Sequence, residues 1–148
     1  MVTKKRATKA SDAAPKRRVA TPAEAAAICR PLCNPEQETF VVLSMSVRNH
    51  VLDVSVVAIG TANWVEVHPR DVFRAAIRAN AAGIVVAHNH PSGDPTPSPE
   101  DDMLTRRLAD AGKLLGIPII DHVVLGDGAR FASYGELRAP CLGLETVR

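Results

Sequence analysis

Ile84-Val85-Val86-Ala87-His88-Asn89-His90-Pro91-Ser92-Gly93-Asp94-Pro95-Thr96-Pro97-Ser98-Pro99-Glu100-Asp101 is the stretch on which the fold turns. Its first four residues form an unbroken apolar run, the pattern of a central strand covered on both faces. Its last four open a helix: Ser98 suits the cap, Pro99 the first helical position, and Asp101 completes a capping-box variant. Between them Pro91, Pro95 and Pro97 stiffen the connection, which lowers the entropy lost when side chains are fixed around a ligand. Residues i and i+2 of a strand point to one face, so His88 and His90 aim at a common point. Asp101, in the first turn of the helix, closes a third side. Singly, each has a structural reading: a polar strand end, a helix cap, a carboxylate suited to the helix dipole. Together, two imidazoles and a carboxylate make a three-ligand zinc site with one position left for water, which is hydrolase chemistry.

Upstream, Thr21-Pro22-Ala23-Glu24 carries the same start signals, and an alanine-rich helix follows to about Leu32, bounded by Pro31 and Pro35. Thr39 to Val47 is rich in β-branched residues and reads as a strand. Asn49-His50 is a turn, and Val51 to Ile59 returns as the second arm of a hairpin, broken at Gly60. A short strand is expected near Trp64 to Val67. Pro69 opens a helix through about Ala81, with Val72, Phe73, Ala76 and Ile77 on one face. Beyond Asp101, Leu104, Leu108, Ala111 and Leu115 recur at helical spacing and Gly116 ends the helix. Ile117 to Leu125 is a strand, and Gly126-Asp127-Gly128 turns into a short strand near Phe131. Helices and strands interleave, so the class is α/β, a mixed β-sheet between helical layers.

A chain of 148 residues with 46% apolar content fits one soluble domain with a real core. Its apolar runs are too short to span a membrane, and its basic N-terminus lacks the apolar segment of a secretory signal, so cytoplasmic residence is expected. Three cysteines are no disulfide framework, and Cys29 and Cys33 read as small helix residues beside the core. Charge is uneven: Lys4, Lys5, Arg6, Lys9, Lys16, Arg17 and Arg18 against Asp12 give residues 1–18 a charge of +6, which leaves −4 for the other 130 within the total of +2. Residues 1–20 therefore read as a basic, disordered tail and 21–148 as the domain. Any nucleic-acid contact is expected to be weak, salt-dependent and confined to residues 1–18. The acidic remainder argues against the basic groove of a metal-dependent nuclease.

His88-x-His90, seven residues, Ser98, two residues and Asp101 resembles the JAMM signature of the JAB/MPN+ zinc metalloproteases. The wider text resembles the bacterial RadC branch. It runs from Val65-Glu66-Val67-His68-Pro69-Arg70 through His88-Asn89-His90-Pro91-Ser92-Gly93-Asp94 to Asp121-His122-Val123-Val124-Leu125-Gly126, and the likeness extends from about residue 21 to 137. The resemblance implies a JAB/MPN three-layer architecture of cytidine-deaminase-like type. It also implies Zn2+ held by His88, His90 and Asp101, and an upstream glutamate as general base. Glu38 is the match, with Glu36 a neighbour that spacing alone does not exclude. In the implied chemistry Glu38 takes a proton from zinc-bound water and passes it to the leaving amine, while Ser98 hydrogen-bonds the oxyanion or positions the water. The implied activity is a metallopeptidase or isopeptidase acting on a peptide or protein. Larger RadC proteins carry an upstream helix-hairpin-helix module of a DNA-contacting type. Here only the basic tail precedes the domain, so direct DNA binding and a repair role are not expected to carry over with the resemblance.

Other zinc chemistries fit less well. A helix-borne zincin needs His-Glu-x-x-His, and a zinc deaminase needs His-x-Glu with Pro-Cys-x-x-Cys downstream; neither is present. His122, in an apolar strand, reads as a satisfied core histidine or a group orienting a ligand from behind. Asn89 points away from the two histidines and suits a structural hydrogen bond. His68 shapes the entry to a helix. The competing function is a metal-bound, non-catalytic module that binds DNA or a protein partner in DNA processing; Glu38 favours the hydrolase, since a binding module needs no general base. Oligomeric state is left open, because apolar helix faces serve a core or an interface equally.

Overall fold

Both faces of the inner strands are buried, which is why their sequences are almost entirely apolar. The computed structural model describes residues 17–137. Its elements are α1 (Pro22–Cys29) with a 3-10 turn (Arg30–Leu32), β1 (Thr39–Met45), β2 (Val51–Ile59), α2 (Pro69–Arg78), β3 (Gly83–Asn89), α3 (Pro99–Leu115), β4 (Ile119–Leu125), β5 (Phe131–Ser133) and α4 (Tyr134–Leu137). They form one five-stranded sheet in the order β2-β1-β3-β4-β5. β3 and β4 are parallel, joined through α3, and the other neighbouring pairs are antiparallel.

The pleat divides the core in two. Phe40 and Val42 of β1, Ile84 and Val86 of β3 and Val124 of β4 pack with Val72, Phe73 and Ala76 of α2 and Leu108 of α3. Val41, Leu43, Val85, Ala87, Val123 and Leu125 face the other way, against Ala25, Ala26 and Cys29 of α1. The result is three layers, α1 on one face and α2 with α3 on the other, an α/β fold of the JAB/MPN type. Cys29 belongs to that second core, where burial pushes its thiol up to about 12; Cys33 beside it is pushed up to about 11. Thr21 and Glu24 form the expected capping box of α1.

Several expectations are corrected. Trp64 to Val67 is not a strand. Its period-two burial comes from an extended segment that lies over the sheet and presses Val65 and Val67 into the α2 core, without a ladder of its own. Ile77 is 57% and Leu115 48% exposed, so the buried stripes of α2 and α3 are rotated from the apolar reading. In α3 the stripe runs through Thr105, Leu108, Ala109 and Gly112. α2 stops at Arg78 instead of Ala81, because Asn80 turns left-handed at φ 54. The short helix α4 went unread. The fold also begins before residue 21: Val51 N–H donates to Arg17 C=O, Val19 N–H donates to Asn49 C=O, and Val19 is buried. The rest of the basic tail, with its expected nucleic-acid contact, lies outside the described residues. Among those residues no helix is long and apolar enough to cross a membrane.

Candidate metal centre

His88 is the next-to-last buried position of β3, facing the α2 and α3 side. Its register partner on β1 is Phe40, whose ring stacks on the imidazole at 6.0 Å between centroids. One residue past β3, His90 begins the loop back to α3. That loop is fastened to the β4–β5 turn: Asp127 N–H donates to Gly93 C=O at 2.9 Å, and the Arg130 guanidinium donates to the same carbonyl at 3.3 Å. A side chain at Gly126 would stand 2.5 Å from the Gly93 carbonyl oxygen, so only glycine permits this approach. Ser98 then caps α3. Its hydroxyl accepts from Asp101 N–H at 3.1 Å, and Asp101 Oδ2 accepts from Ser98 N–H at 2.9 Å. The hydroxyl is thus itself the cap, with its own proton left to donate.

These elements bring three of the anticipated side chains together. His88 Nε2 lies 3.1 Å from His90 Nε2 and 3.0 Å from Asp101 Oδ1, and His90 Nε2 lies 3.1 Å from Asp101 Oδ2. The outer nitrogens are occupied. His90 Nδ1–H donates to Asp94 C=O at 2.9 Å, which leaves Nε2 with a lone pair facing the centre. Behind His88 runs a relay. Thr105 donates its only hydroxyl proton to Asp101 C=O, so it accepts from His122 Nδ1–H. Complete burial holds His122 well below its usual range, hence neutral. Its Nε2 therefore accepts from His88 Nδ1–H at 2.8 Å, and His88 Nε2 too presents a lone pair. Lone pairs facing one another at such distances need a cation among them, and this group is of the kind that holds a metal ion.

Without a metal ion, protons take the cation's place. Burial alone would raise Asp101, but with Nε2–H groups at the centre the hydrogen bonds from His88 and His90 outweigh it and hold the carboxyl well below the usual range. His90 is raised, chiefly by its hydrogen bond with Asp101. Glu38, two residues before Phe40, lies on the same side of β1 and lines the same cleft, where burial raises its carboxyl. Glu36 is exposed, its N–H held by Asn34 Oδ1 in the preceding turn. Asn89 faces the opposite way. Its amide donates to Asn34 C=O and Gln37 C=O and accepts from Thr39 N–H, which fixes the approach to Glu38. His68 pairs with Glu66 on the far wall. Thr105 was missed by sequence reasoning; its one signal is its position a helical turn after Asp101.

The sequence model of the RadC-like JAB domain family matches residues 19–139. A UPF0758 protein of Desulfitobacterium hafniense is 52% identical over 101 residues, covering 68% of this chain and 44% of that protein. Another, from Methanosarcina acetivorans, is 44% identical over 115 residues, covering 77% of this chain and 50% of its own. The chain therefore spans about half the length of the curated relatives it matches, and their names state no activity. Matched family sequence, three-layer fold and the His-His-Asp cluster agree: this chain belongs to the RadC-like JAB domain family.

Proposed function

We propose that this protein is a zinc-dependent amide hydrolase, a metallopeptidase or isopeptidase. The observation that carries the reading is the convergence of His88 Nε2, His90 Nε2 and Asp101 at 3.0–3.1 Å on a cleft that also holds the half-buried Glu38. Bonds of about 2.0–2.1 Å around tetrahedral zinc place ligand atoms about 3.3 Å apart, close to this spacing. A bound zinc ion would supply Lewis acidity to polarise the amide carbonyl and acidify a water.

The chain supplies the rest. Asn89 and the β1 ladder hold Glu38 at the cleft, where its carboxylate receives the proton of the attacking water and delivers it to the leaving nitrogen. Burial raises Glu38, which brings it closer to a value suited to both halves of that transfer. Ser98 donates its remaining hydroxyl proton to the oxyanion of the substrate. Phe40 and His122 exclude water from behind His88.

Metal analysis of the purified chain, followed by assay on a peptide and isopeptide library, tests this. About one zinc per chain and amide cleavage are expected. Glu38→Gln should keep the metal and lose roughly 10²–10⁴-fold in rate. Loss of metal in that variant would make Glu38 a ligand and overturn its role. Zinc-loaded protein inert on every amide would favour a binding module.

A further inference from the structure

The cleft beside the metal ligands has a volume of about 790 Å³ and is lined, among the described residues, by five carboxylates, Glu38, Glu66, Asp94, Glu100 and Asp101, but by only one arginine or lysine, Arg107. Among the described residues the Arg107 guanidinium makes no hydrogen bond or ion pair. A lone exposed arginine is ordinary; its place here is not. Helical spacing puts Glu100, Met103, Leu104 and Arg107 on the stripe of α3 that borders the cleft. Six residues separate Arg107 from Asp101, about 9 Å along the helix axis at 1.5 Å per residue. Side chains lean toward the helix N-terminus, so the Arg107 side chain leaves the helix toward the end that carries Asp101. Between the two lie Met103, 73% exposed, and Leu104, while Trp64, 55% exposed, is on the cleft wall. Large apolar side chains left open in a concave wall, with one placed polar group, are the composition of a ligand subsite.

We propose that Arg107 is a specificity-determining residue that anchors a substrate carboxylate. The cleft would then favour amides whose leaving group carries an apolar side chain over Met103 and Trp64 and a carboxylate within about two or three residues of the scissile bond, given about 3.3 Å per extended residue. A planar guanidinium pairs with a carboxylate through two parallel hydrogen bonds. A doubly charged phosphate is disfavoured by the five surrounding carboxylates. The carboxylate has two sources, the C-terminus of a peptide or an acidic side chain. The inference rests on the reading of the site as an amide hydrolase.

The probes are N-acetylated alanine pentapeptides with leucine in the next-to-last position, made as the free acid, as the C-terminal amide, and as an amide ending in aspartate. kcat/KM is measured on the zinc-loaded full chain, and Kd by calorimetry on zinc-loaded Glu38→Gln, which reports binding without turnover. The free acid, or the aspartate peptide if a side chain is what is read, should be preferred over the plain amide by about tenfold, the factor given by 1.4 kcal/mol. Arg107→Gln should bring that ratio to about one with an unchanged melting temperature, and Arg107→Lys should restore part of it. Equal handling of all three peptides, absence of detectable binding, or a preference that survives in Arg107→Gln, and so belongs to the metal, overturns the proposal. Cleavage without preference would leave the hydrolase standing and remove Arg107. An Arg107-dependent preference in Kd without cleavage would do the reverse.

Discussion

One hydroxyl proton fixes which nitrogen of His88 carries its proton. Because Thr105 donates to Asp101 C=O, every later bond in the relay through His122 to His88 has its direction set. Thr105→Val keeps the shape and removes the acceptor. The buried His122 Nδ1–H is then unsatisfied, which costs about 1–3 kcal/mol. With no acceptor at Nδ1, His122 is free to carry its proton on Nε2 and donate to His88 Nδ1, which moves the His88 proton to Nε2, so zinc affinity should fall about 10–100-fold. Competition of the variant and the parent chain against a chelating dye measures this, and equal affinities would sink the relay. The clustering of His88, His90 and Asp101 was legible in the sequence because histidines two apart on a strand and a carboxylate at a helix start declare a common face. The relay was not, since it depends on Val86 standing beside His122 across a parallel pair whose neighbours no local pattern names. The choice of Glu38 over Glu36 likewise depends on the β1 register, which sets Phe40 opposite His88.

At the scale of elements, caps and prolines marked the starts of α1, α2 and α3 correctly because they act within a few residues. Faces were less legible, because a helix is oriented by what it must approach. α3 turns Gly112, not Leu115, toward the sheet side. A Cβ there would lie 2.5 Å from the Ile117 carbonyl oxygen and 3.3 Å from the Phe73 ring. An apolar count does not see a residue chosen for lacking a side chain. Gly112→Ala should therefore destabilise, although alanine is the better helix former by about 1 kcal/mol. The carbonyl of Ile117 is backbone and cannot swing aside, so the link from α3 to β4 must shift at a cost of about 1–3 kcal/mol. Urea unfolding reads the difference, and an equally stable or stabilised variant would show that the link from α3 to β4 gives way easily. The Trp64 to Val67 segment misled for a related reason: alternation records which side chains are buried, not whether the backbone has a ladder partner.

Over the whole molecule, the candidate metal centre is also a structural joint. His88 is next to last in a central strand, His90 begins a loop fastened to the β4–β5 turn, and Asp101 lies on the first turn of α3. A metal held by all three ties the sheet to the helix that carries the parallel crossover, and the unfolded chain offers no such set in place. Binding the folded state alone stabilises it by RT ln(1 + [L]/Kd), about 4 kcal/mol at a thousandfold excess over Kd. For a domain of this size 1 kcal/mol moves the midpoint by about 4 °C, so zinc excess against chelator should separate the melting temperatures by about 10–15 °C. The separation should shrink as pH falls, because both imidazoles must be unprotonated to bind. Surface histidines also collect zinc, so the control is His88→Ala, in which the separation should vanish while the chelated variant still melts cooperatively. A shift that persists in His88→Ala would place the stabilising metal elsewhere, and no shift in the parent chain would mean that the cluster holds zinc too weakly to serve as its resident site.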